Sequence, residues 1–384
     1  MKLLHIGDLH IGKRVFECSM LEEQKEVLRQ IIAIIKKEKP FVVLLAGDVY
    51  DKGVPSAEAV ELFDEFLTEL SKTSSNVLLI SGNHDSPERL HFGSRIFREQ
   101  GIFIAGTFEG QLQKATLEDE LGTVNFYLLP YIKPSAVRPY FLDKEIKNYE
   151  DAVRSILEAE EIIESERNVI LAHQFVTASG KVPERCESEI LSVGGVDQID
   201  AGLFSKFDYV ALGHLHGAQK IGRETVRYAG SVLKYSFSEI NHKKSVTMIE
   251  LGKKGEVEIQ LIALPFQRDF REIKGPLEEL IKPEIVSCGN AEDYLSVILT
   301  DEEPIADPLG KLRSRYPNVM RLTFENRKNS GWKPEWSESP ENLTKKEPMT
   351  LFEDFFFLQN GSKMTEQQRM LMKDLFRKTL GGDQ

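Results

Sequence analysis

Five short apolar runs in this chain each stop at residues able to bind a metal ion, and that repetition constrains the fold more than any other feature. Leu3-Leu4-His5-Ile6-Gly7 leads to Asp8 and His10, Phe41 to Gly47 leads to Asp48, and Val77 to Gly82 leads to Asn83, His84 and Asp85. Val169-Ile170-Leu171-Ala172 leads to His173, and Tyr209 to Gly213 leads to His214 and His216. Short apolar runs of this kind suit buried strands. Helical stretches lie between the first three, at Glu22 to Lys37 and at Ser56 to Leu70, the latter with Ser56 as N-cap. Strands alternating with helices predict an α/β layer arrangement, in which the carboxyl ends of strands gather on one edge and bind ligands there. Five of the eight histidines sit at these ends.

The residue types indicate the chemistry. His214 and His216 leave one face of an extended chain, with Cα atoms roughly 6.6 to 7 Å apart, so they can chelate one ion or serve two neighbouring ions. Two carboxylates, one amide oxygen and four imidazoles make a mixed O/N set that favours Mn²⁺, Fe²⁺, Co²⁺ or Zn²⁺ over Mg²⁺ or Ca²⁺. Seven donors are too many for one ion. A pair of ions sharing a carboxylate uses them all, and such pairs, roughly 3.5 to 4 Å apart, clamp the attacking and leaving oxygens of an in-line displacement at phosphorus. His214 and His216 can then each serve one ion.

Composition sets the remaining bounds. With 384 residues, 41% hydrophobic and 29% charged, the chain is long enough for a large core and more than one domain. Its apolar runs are too short to cross a bilayer and its start shows no signal peptide; Cys18, Cys186 and Cys288 are odd in number and widely spaced, which suits a reducing compartment such as the cytoplasm. A formal net charge of −12 argues against coating nucleic acid through the overall field. It leaves a nuclease open, because bound divalent ions and local Lys/Arg clusters draw phosphate to an otherwise acidic surface.

The ordered set D-x-H (Asp8, His10), G-D-x-x-D (Asp48, Asp51), G-N-H-D (Asn83, His84, Asp85), a lone His173 and G-H-x-H (His214, His216) resembles the calcineurin-like metallophosphoesterase family. Within it the chain is similar to the bacterial nuclease subunits of DNA repair complexes, over GDVYDKGVPS (47 to 56), GNHDSPERL (82 to 90), AGSVLKYSFSE (229 to 239) and the C-terminal segment. The resemblance implies an α/β fold, a two-sheet αββα sandwich carrying a small α+β capping domain and a C-terminal helical hairpin. It implies Asp8, His10 and His216 as ligands of one ion, Asn83, His173 and His214 as ligands of the other, and Asp48 as the bridge, with two divalent ions, Mn²⁺ foremost. His84 resembles the family's non-ligand catalytic histidine, which stabilises the transition state and protonates the leaving oxygen. Asp51 stands where a carboxylate orients that histidine in some relatives. Val232 departs from the proline usual in this family's G-S-P-L-x-Y-S stretch.

The expected domains are a phosphoesterase domain at 1–265, a capping, DNA-positioning unit at 266–327, a polar linker at 328–348 and a helical hairpin at 349–384. The capping unit reads strand, helix, strand, helix, strand, and its most basic residues, Lys311, Arg313, Arg315 and Arg321, are candidate phosphate contacts, although a solvated helix face explains them equally. In the tail, Thr350-Leu351-Phe352-Glu353 and Thr365 to Gln368 both fit a capping box, with Asn360-Gly361 as a stop between two helices. Phe352, Phe355, Phe356, Leu371 and Leu375 belong to more apolar surface than two short helices bury alone, so the hairpin docks on this chain's own core or on a partner. By resemblance that partner is the coiled-coil base of an ABC ATPase; no Walker A motif is present here to supply the ATPase in this chain.

The resemblance thus implies a metal-dependent DNA nuclease, exonuclease on duplex ends and endonuclease on single strands or hairpins, working as a homodimer within a heterotetramer in DNA repair, recombination and replication. The helix bearing Leu62, Phe63 and Phe66 reads as a dimer interface or as core packing. Two rivals remain: a phosphodiesterase for a small substrate such as a cyclic nucleotide, and a scaffold with a vestigial metal site. A capping unit and an apolar tail are superfluous for a small substrate, and the non-ligating His84 has no evident use in a scaffold.

Overall fold

All five apolar runs form strands. The computed structural model describes residues 1–178, 180–189, 197–325, 347–360 and 363–380. Along the chain, β1 (Lys2–Ile6), β2 (Val42–Ala46), β3 (Asn76–Ile80) and β4 (Ile102–Ala105) enter one sheet. A second is built from β5 (Gln113–Asp119), β6 (Gly122–Leu129), β7 (Arg167–His173), β8 (Tyr209–Gly213), β9 (Gln219–Ile221) and β10 (Arg223–Tyr228), after which β11 (Ser245–Leu251) and β12 (Val257–Ala263) return to the first. The orders are β12-β11-β1-β2-β3-β4 and β9-β10-β8-β7-β6-β5. Both sheets are mixed: β1 to β4 run parallel, as do β6, β7, β8 and β10, with antiparallel strands at the edges.

Alternate side chains of the two sheets meet in one core, Leu3, Val42, Leu44 and Leu78 from the first against Val124, Phe126, Val169 and Tyr209 from the second. The other face of each sheet is equally buried, so it too is covered. Parallel neighbours need crossover connections. For the first sheet these are α1 (Leu21–Glu38) and α2 (Ala57–Ser71), which bury Val27, Ile31 and Ile35 and Ala59, Phe63 and Phe66. The N-cap of α2 is Ser56, whose hydroxyl accepts from Ala59 N at 3.3 Å. On the second sheet, α3 (Tyr149–Ala159) packs Val153 and Ile156 against Tyr127, Ile170 and Leu212. The layers therefore run helix, sheet, sheet, helix. Leu62, Phe63 and Phe66 are 8%, 5% and 3% exposed, so they are core residues rather than an interface; the large apolar residue that α2 exposes is Val60.

Two compact units are present, Met1–Phe270 and Arg271–Gln384. In the second, β13 (Phe270–Gly275), β14 (Tyr294–Leu299) and β15 (Val319–Phe324) form a small sheet, with β14 central and parallel to β15. Where one helix was expected between β13 and β14, Pro283 starts a new one and there are two, α4 (Leu277–Leu280) and α5 (Pro283–Val286). With α6 (Pro308–Arg313) they enclose Leu277, Leu280, Leu295, Val297, Leu312 and Tyr316.

The two tail helices are α7 (Pro348–Asn360) and α8 (Glu366–Leu380). Thr365 forms the expected capping box, its hydroxyl accepting from Gln368 N at 3.3 Å while the Gln368 side chain accepts from Thr365 N at 2.9 Å. Thr350 does not cap, because Pro348 opens α7 two residues earlier, proline being favoured in a helix's first turn. The expected linker lies outside the described residues at 328–346, as does Gly361 of the expected stop. No helix among the described residues is long and apolar enough to cross a membrane, and all three cysteines are free.

Candidate metal centre

The carboxyl ends of β1, β2 and β3 in one sheet and of β7 and β8 in the other deliver their polar residues to one buried place. Asp8, His10, Asp48, His173, His214 and His216 are all 6% exposed or less. Two motif glycines exist because nothing larger fits: a Cβ on Gly82 would collide with the Asp48 carboxylate, and one on Gly213 with the Ala46 carbonyl. Asp8, His10, Asp48 and His214 are four of the eight described non-glycine residues with left-handed φ, at 46°, 46°, 49° and 110°. Such backbone costs of order 1 to 3 kcal/mol each and persists where surroundings enforce it, typically at functional sites.

Asp48 is the centre. Its Oδ2 lies 3.6 Å from His10 Nε2 and 3.3 Å from His173 Nε2, while Oδ1 accepts from His84 N at 2.8 Å. On one side His10 Nε2 meets His216 Nε2 at 3.0 Å. On the other, Asn83 Oδ1 meets His173 Nε2 at 3.0 Å and His214 Nδ1 at 2.9 Å. Asp8 Oδ1 accepts from His214 N at 2.8 Å and sits 3.9 Å from His173 Nδ1.

Several of these atoms face the wrong partner for a hydrogen bond. His173 donates Nδ1–H to Ala46 O at 2.7 Å, so in the neutral ring the Nε2 lone pair stands opposite Asn83 Oδ1, itself an acceptor. Asp8 Oδ2 and His10 Nδ1 are buried without a hydrogen-bond partner among the described residues. Lone pairs set against lone pairs at about 3 Å repel unless a proton or a cation stands between them. The donors of Asp8, Asp48 and His173, and those of His10, Asp48 and His84, lie within 4.8 Å of one another, two groups sharing Asp48. A pair of divalent cations fits this set.

Electrostatics show where a proton stands in a cation's place. Burial pushes the Asp8 carboxyl up to about 7. Burial also lowers His10 well below the usual imidazole range, and, with the neighbouring His173 charge, lowers His214 to about 3, so both rings are neutral donors. At His173 burial opposes the charge, but the Asp48 carboxylate outweighs it and lifts the ring to about 9; the same pairing, against burial, holds Asp48 well below the usual carboxylate range. Asp48 thus keeps its charge by pairing with His173.

His84 stands beside this group, its ring centroid 4.7 Å from that of His10, with Nδ1 donating to the Asp51 backbone carbonyl at 2.8 Å. The expected contact from the Asp51 carboxylate is not made: that carboxylate pairs with Lys13 Nζ at 2.7 Å and stands 3.9 Å from His10 Nδ1. A third donor group, Cys186, Glu239 and His242, lies outside the seven. There the Lys244 ammonium, 2.5 Å from Glu239, already supplies the cation.

Residues 1–218 match the calcineurin-like phosphoesterase family, more than half of the chain, and residues 266–360 match the type 5 capsule protein repressor C-terminal domain. The SbcD subunit of the SbcCD nuclease of Staphylococcus epidermidis is 32% identical over 381 residues, 98% of either chain. The chain belongs to the calcineurin-like phosphoesterases, in their SbcD branch. Two solved structures also align at 12% identity and TM-score 0.41: a dimetal phosphatase from Danio rerio (70% of this chain, 99% of that one) and GAP50, the anchor in the inner membrane complex of Plasmodium (84% and 96%). Both likenesses are slight.

In this phosphoesterase the candidate ligands are held by Asp85, a motif residue whose part the motif does not state, and by Gln24, outside every motif. Asp85 accepts from Val49 N, Tyr50 N and Gly82 N at 2.8 to 3.1 Å and so ties the Asp48 loop to the Asn83 loop. Gln24, buried within α1, donates to His10 O at 2.7 Å; a glutamine on an apolar helix face was its only signal. Among the candidate phosphate contacts, Lys311, Arg313 and Arg315 are exposed, but Arg321 is paired with Glu272 at 3.2 Å and bonded to Ser296. Of the tail residues, Phe352 packs on Phe376 with centroids 5.9 Å apart, Phe356 is half-buried, and Phe355, Leu371 and Leu375 are exposed.

Proposed function

We propose that this SbcD-type phosphoesterase is a metal-dependent DNA nuclease, cleaving duplex ends exonucleolytically and single strands or hairpins endonucleolytically, as the nuclease subunit of a complex with an SbcC-type ABC ATPase. One observation carries the chemistry: Asp48 Oδ2 lies between His10 Nε2 and His173 Nε2, with a separate donor set behind each. On this reading Asp8, His10 and His216 hold one divalent ion, Asn83, His173 and His214 the other, and Asp48 both; Mn²⁺ suits the mixed O/N donors. When bound, such a pair supplies Lewis acidity to the phosphoryl oxygens and a water nucleophile active at neutral pH.

The chain's own residues do the rest. Ala46 O fixes the His173 tautomer, so that Nε2 is the donor atom. With Nδ1–H held by the Asp51 carbonyl, the doubly protonated His84 ring presents Nε2–H to the reacting phosphate, and that proton passes to the departing deoxyribose oxygen, leaving the ring neutral. Lys311, Arg313 and Arg315 lie on a separate folded unit and are proposed to contact phosphates, while Phe355, Leu371 and Leu375 of the tail are proposed to seat on the ATPase; the assembly is proposed to contain two copies of each chain.

Release of nucleotides from an end-labelled linear duplex by the purified chain in Mn²⁺, with and without chelator and beside His84→Gln, tests the reading. Chelator-sensitive digestion lost in the variant is the expected result. Hydrolysis of a small phosphodiester with no attack on DNA, in the presence of the ATPase as well as without it, would replace the nuclease with a small-substrate enzyme.

A further inference from the structure

Glu239 and Lys244 are buried charges with no part in the reaction proposed above. The Glu239 side chain is 0% exposed and that of Lys244 2%, with Oε2 and Nζ 2.5 Å apart. A buried ion pair is weak evidence of a gain in stability, so its neighbours indicate its use. Every proton on Lys244 Nζ has an acceptor: Glu239 Oε2, Ser231 Oγ at 2.8 Å, and the backbone carbonyl of His216 at 2.8 Å. The other carboxylate oxygen, Glu239 Oε1, accepts from Ser188 Oγ at 2.6 Å and from Tyr235 N at 3.2 Å.

Proton bookkeeping then sets the state of His216. A serine hydroxyl has one proton, and that of Ser188 goes to Glu239, which has none to give. Toward His216 Nδ1, 2.8 Å away, Ser188 Oγ must therefore accept. His216 carries its proton on Nδ1 and turns a lone pair outward at Nε2, the atom facing His10. Glu239 Oε1, 3.5 Å from the same Nδ1, favours that proton's position. The stretch AGSVLKYSFSE, with Ser231, Tyr235 and Glu239, accordingly builds a polar cage around one histidine.

We infer that Ser188, Glu239 and Lys244 are a positioning relay for His216, fixing its tautomer and ring direction so that Nε2 is ready to bind a divalent cation. The relay rests on the two-cation reading of the site. His173 obtains the same service from one backbone carbonyl; His216, beyond the end of its strand, obtains it from side chains. Partners of this kind orient metal-binding imidazoles and raise their basicity, and their loss weakens metal affinity roughly 10- to 100-fold.

The test is titration of Mn²⁺ into the full chain by calorimetry, with thermal unfolding alongside, for wild type, His216→Ala, Ser188→Ala, Ser188→Thr and Glu239→Gln. The expected result is two ions in wild type, one lost in His216→Ala, and in Ser188→Ala one of the two bound roughly 10- to 100-fold more weakly with unfolding unchanged, restored by Ser188→Thr. Glu239→Gln strands Lys244 and is expected to weaken the same ion and lower the melting temperature; if it fails to fold, the serine pair still decides. Wild-type Mn²⁺ affinity in Ser188→Ala, when His216→Ala has lost an ion, overturns the relay alone. No uptake by wild type overturns the two-cation reading and the relay with it.

Discussion

His84 gives its Nδ1 proton to the backbone carbonyl of Asp51 at 2.8 Å, while the carboxylate of the same residue turns to Lys13. The position is the one the motif suggests, but the atom is different. A carbonyl orients an imidazole as firmly as a carboxylate does, without stabilising its charged form to the same degree.

The first prediction rests on that difference. Asp51→Asn retains the carbonyl and loses the charge that faces Lys13 and, at 3.9 Å, His10, so turnover should fall a few-fold, against roughly 10²- to 10⁴-fold for His84→Gln. Single-turnover cleavage rates of the two variants check this. Equal losses would show that the carboxylate, not the carbonyl, orients His84.

Asp48 is the one donor shared by both groups, so its replacement should behave unlike any other. Asp48→Ala is expected to weaken both Mn²⁺ ions, each by more than roughly 100-fold, where His10→Ala weakens one. Counting bound Mn²⁺ by electron paramagnetic resonance distinguishes these outcomes. Retention of one tight ion in Asp48→Ala would remove Asp48 from the bridging role.

A structural pair gives a pH-dependent counterpart. Arg167, 4% exposed, holds Asp119 through Nη2–Oδ1 at 2.5 Å and Nη1–Oδ2 at 3.1 Å. This guanidinium, against a smaller effect of burial, keeps the Asp119 carboxyl well below the usual carboxylate range. A carboxylate depressed on folding contributes stability that is full above its unfolded value, about 3.9, and is lost as pH falls through the folded one. Asp119 is partly open to solvent, which screens the pair, so Asp119→Asn should cost about 2 kcal/mol at pH 7, below the 3 to 5 of a fully buried pair. Urea melts at pH 7 and below pH 3 should show the difference from wild type shrinking in acid; a difference independent of pH would assign it to packing.

What the sequence discloses and what it conceals divide along one physical line. The seven donors each follow an apolar run, and local periodicity places every such run on a strand whose carboxyl end faces the same edge. Nothing local says that Gln24 on α1 reaches His10 O, or that Lys244 reaches His216 O across 28 residues. The first exists only once α1 has packed back on the end of β1, the second only once the two sheets have stacked. Local rules also mislead where two compete: Thr350 reads as a cap, yet Pro348 starts the helix first, and Leu62, Phe63 and Phe66 read as an interface or as core until the crossover geometry buries them. Arg321 reads as a phosphate contact until Glu272, 49 residues away, claims it.

The tail gives the last prediction. In α7 and α8, Phe352 and Phe376 face each other and Arg369 binds Glu353 at 2.5 Å, so the hairpin has an inside of its own. Phe355 and Leu371 are nonetheless 55% and 62% exposed. Substituting exposed residues alters stability by about 0.5 kcal/mol or less, whereas removing two apolar anchors from an interface costs about 2 kcal/mol or more each. The double variant Phe355→Asp, Leu371→Asp should therefore melt as wild type does and cleave DNA alone at the wild-type rate, yet bind the SbcC-type ATPase roughly 1,000-fold more weakly in a pull-down titration. Unchanged binding would place the partner's contact elsewhere on the chain. Loss of DNA cleavage by the variant alone would instead mean that the hairpin serves the phosphoesterase unit itself.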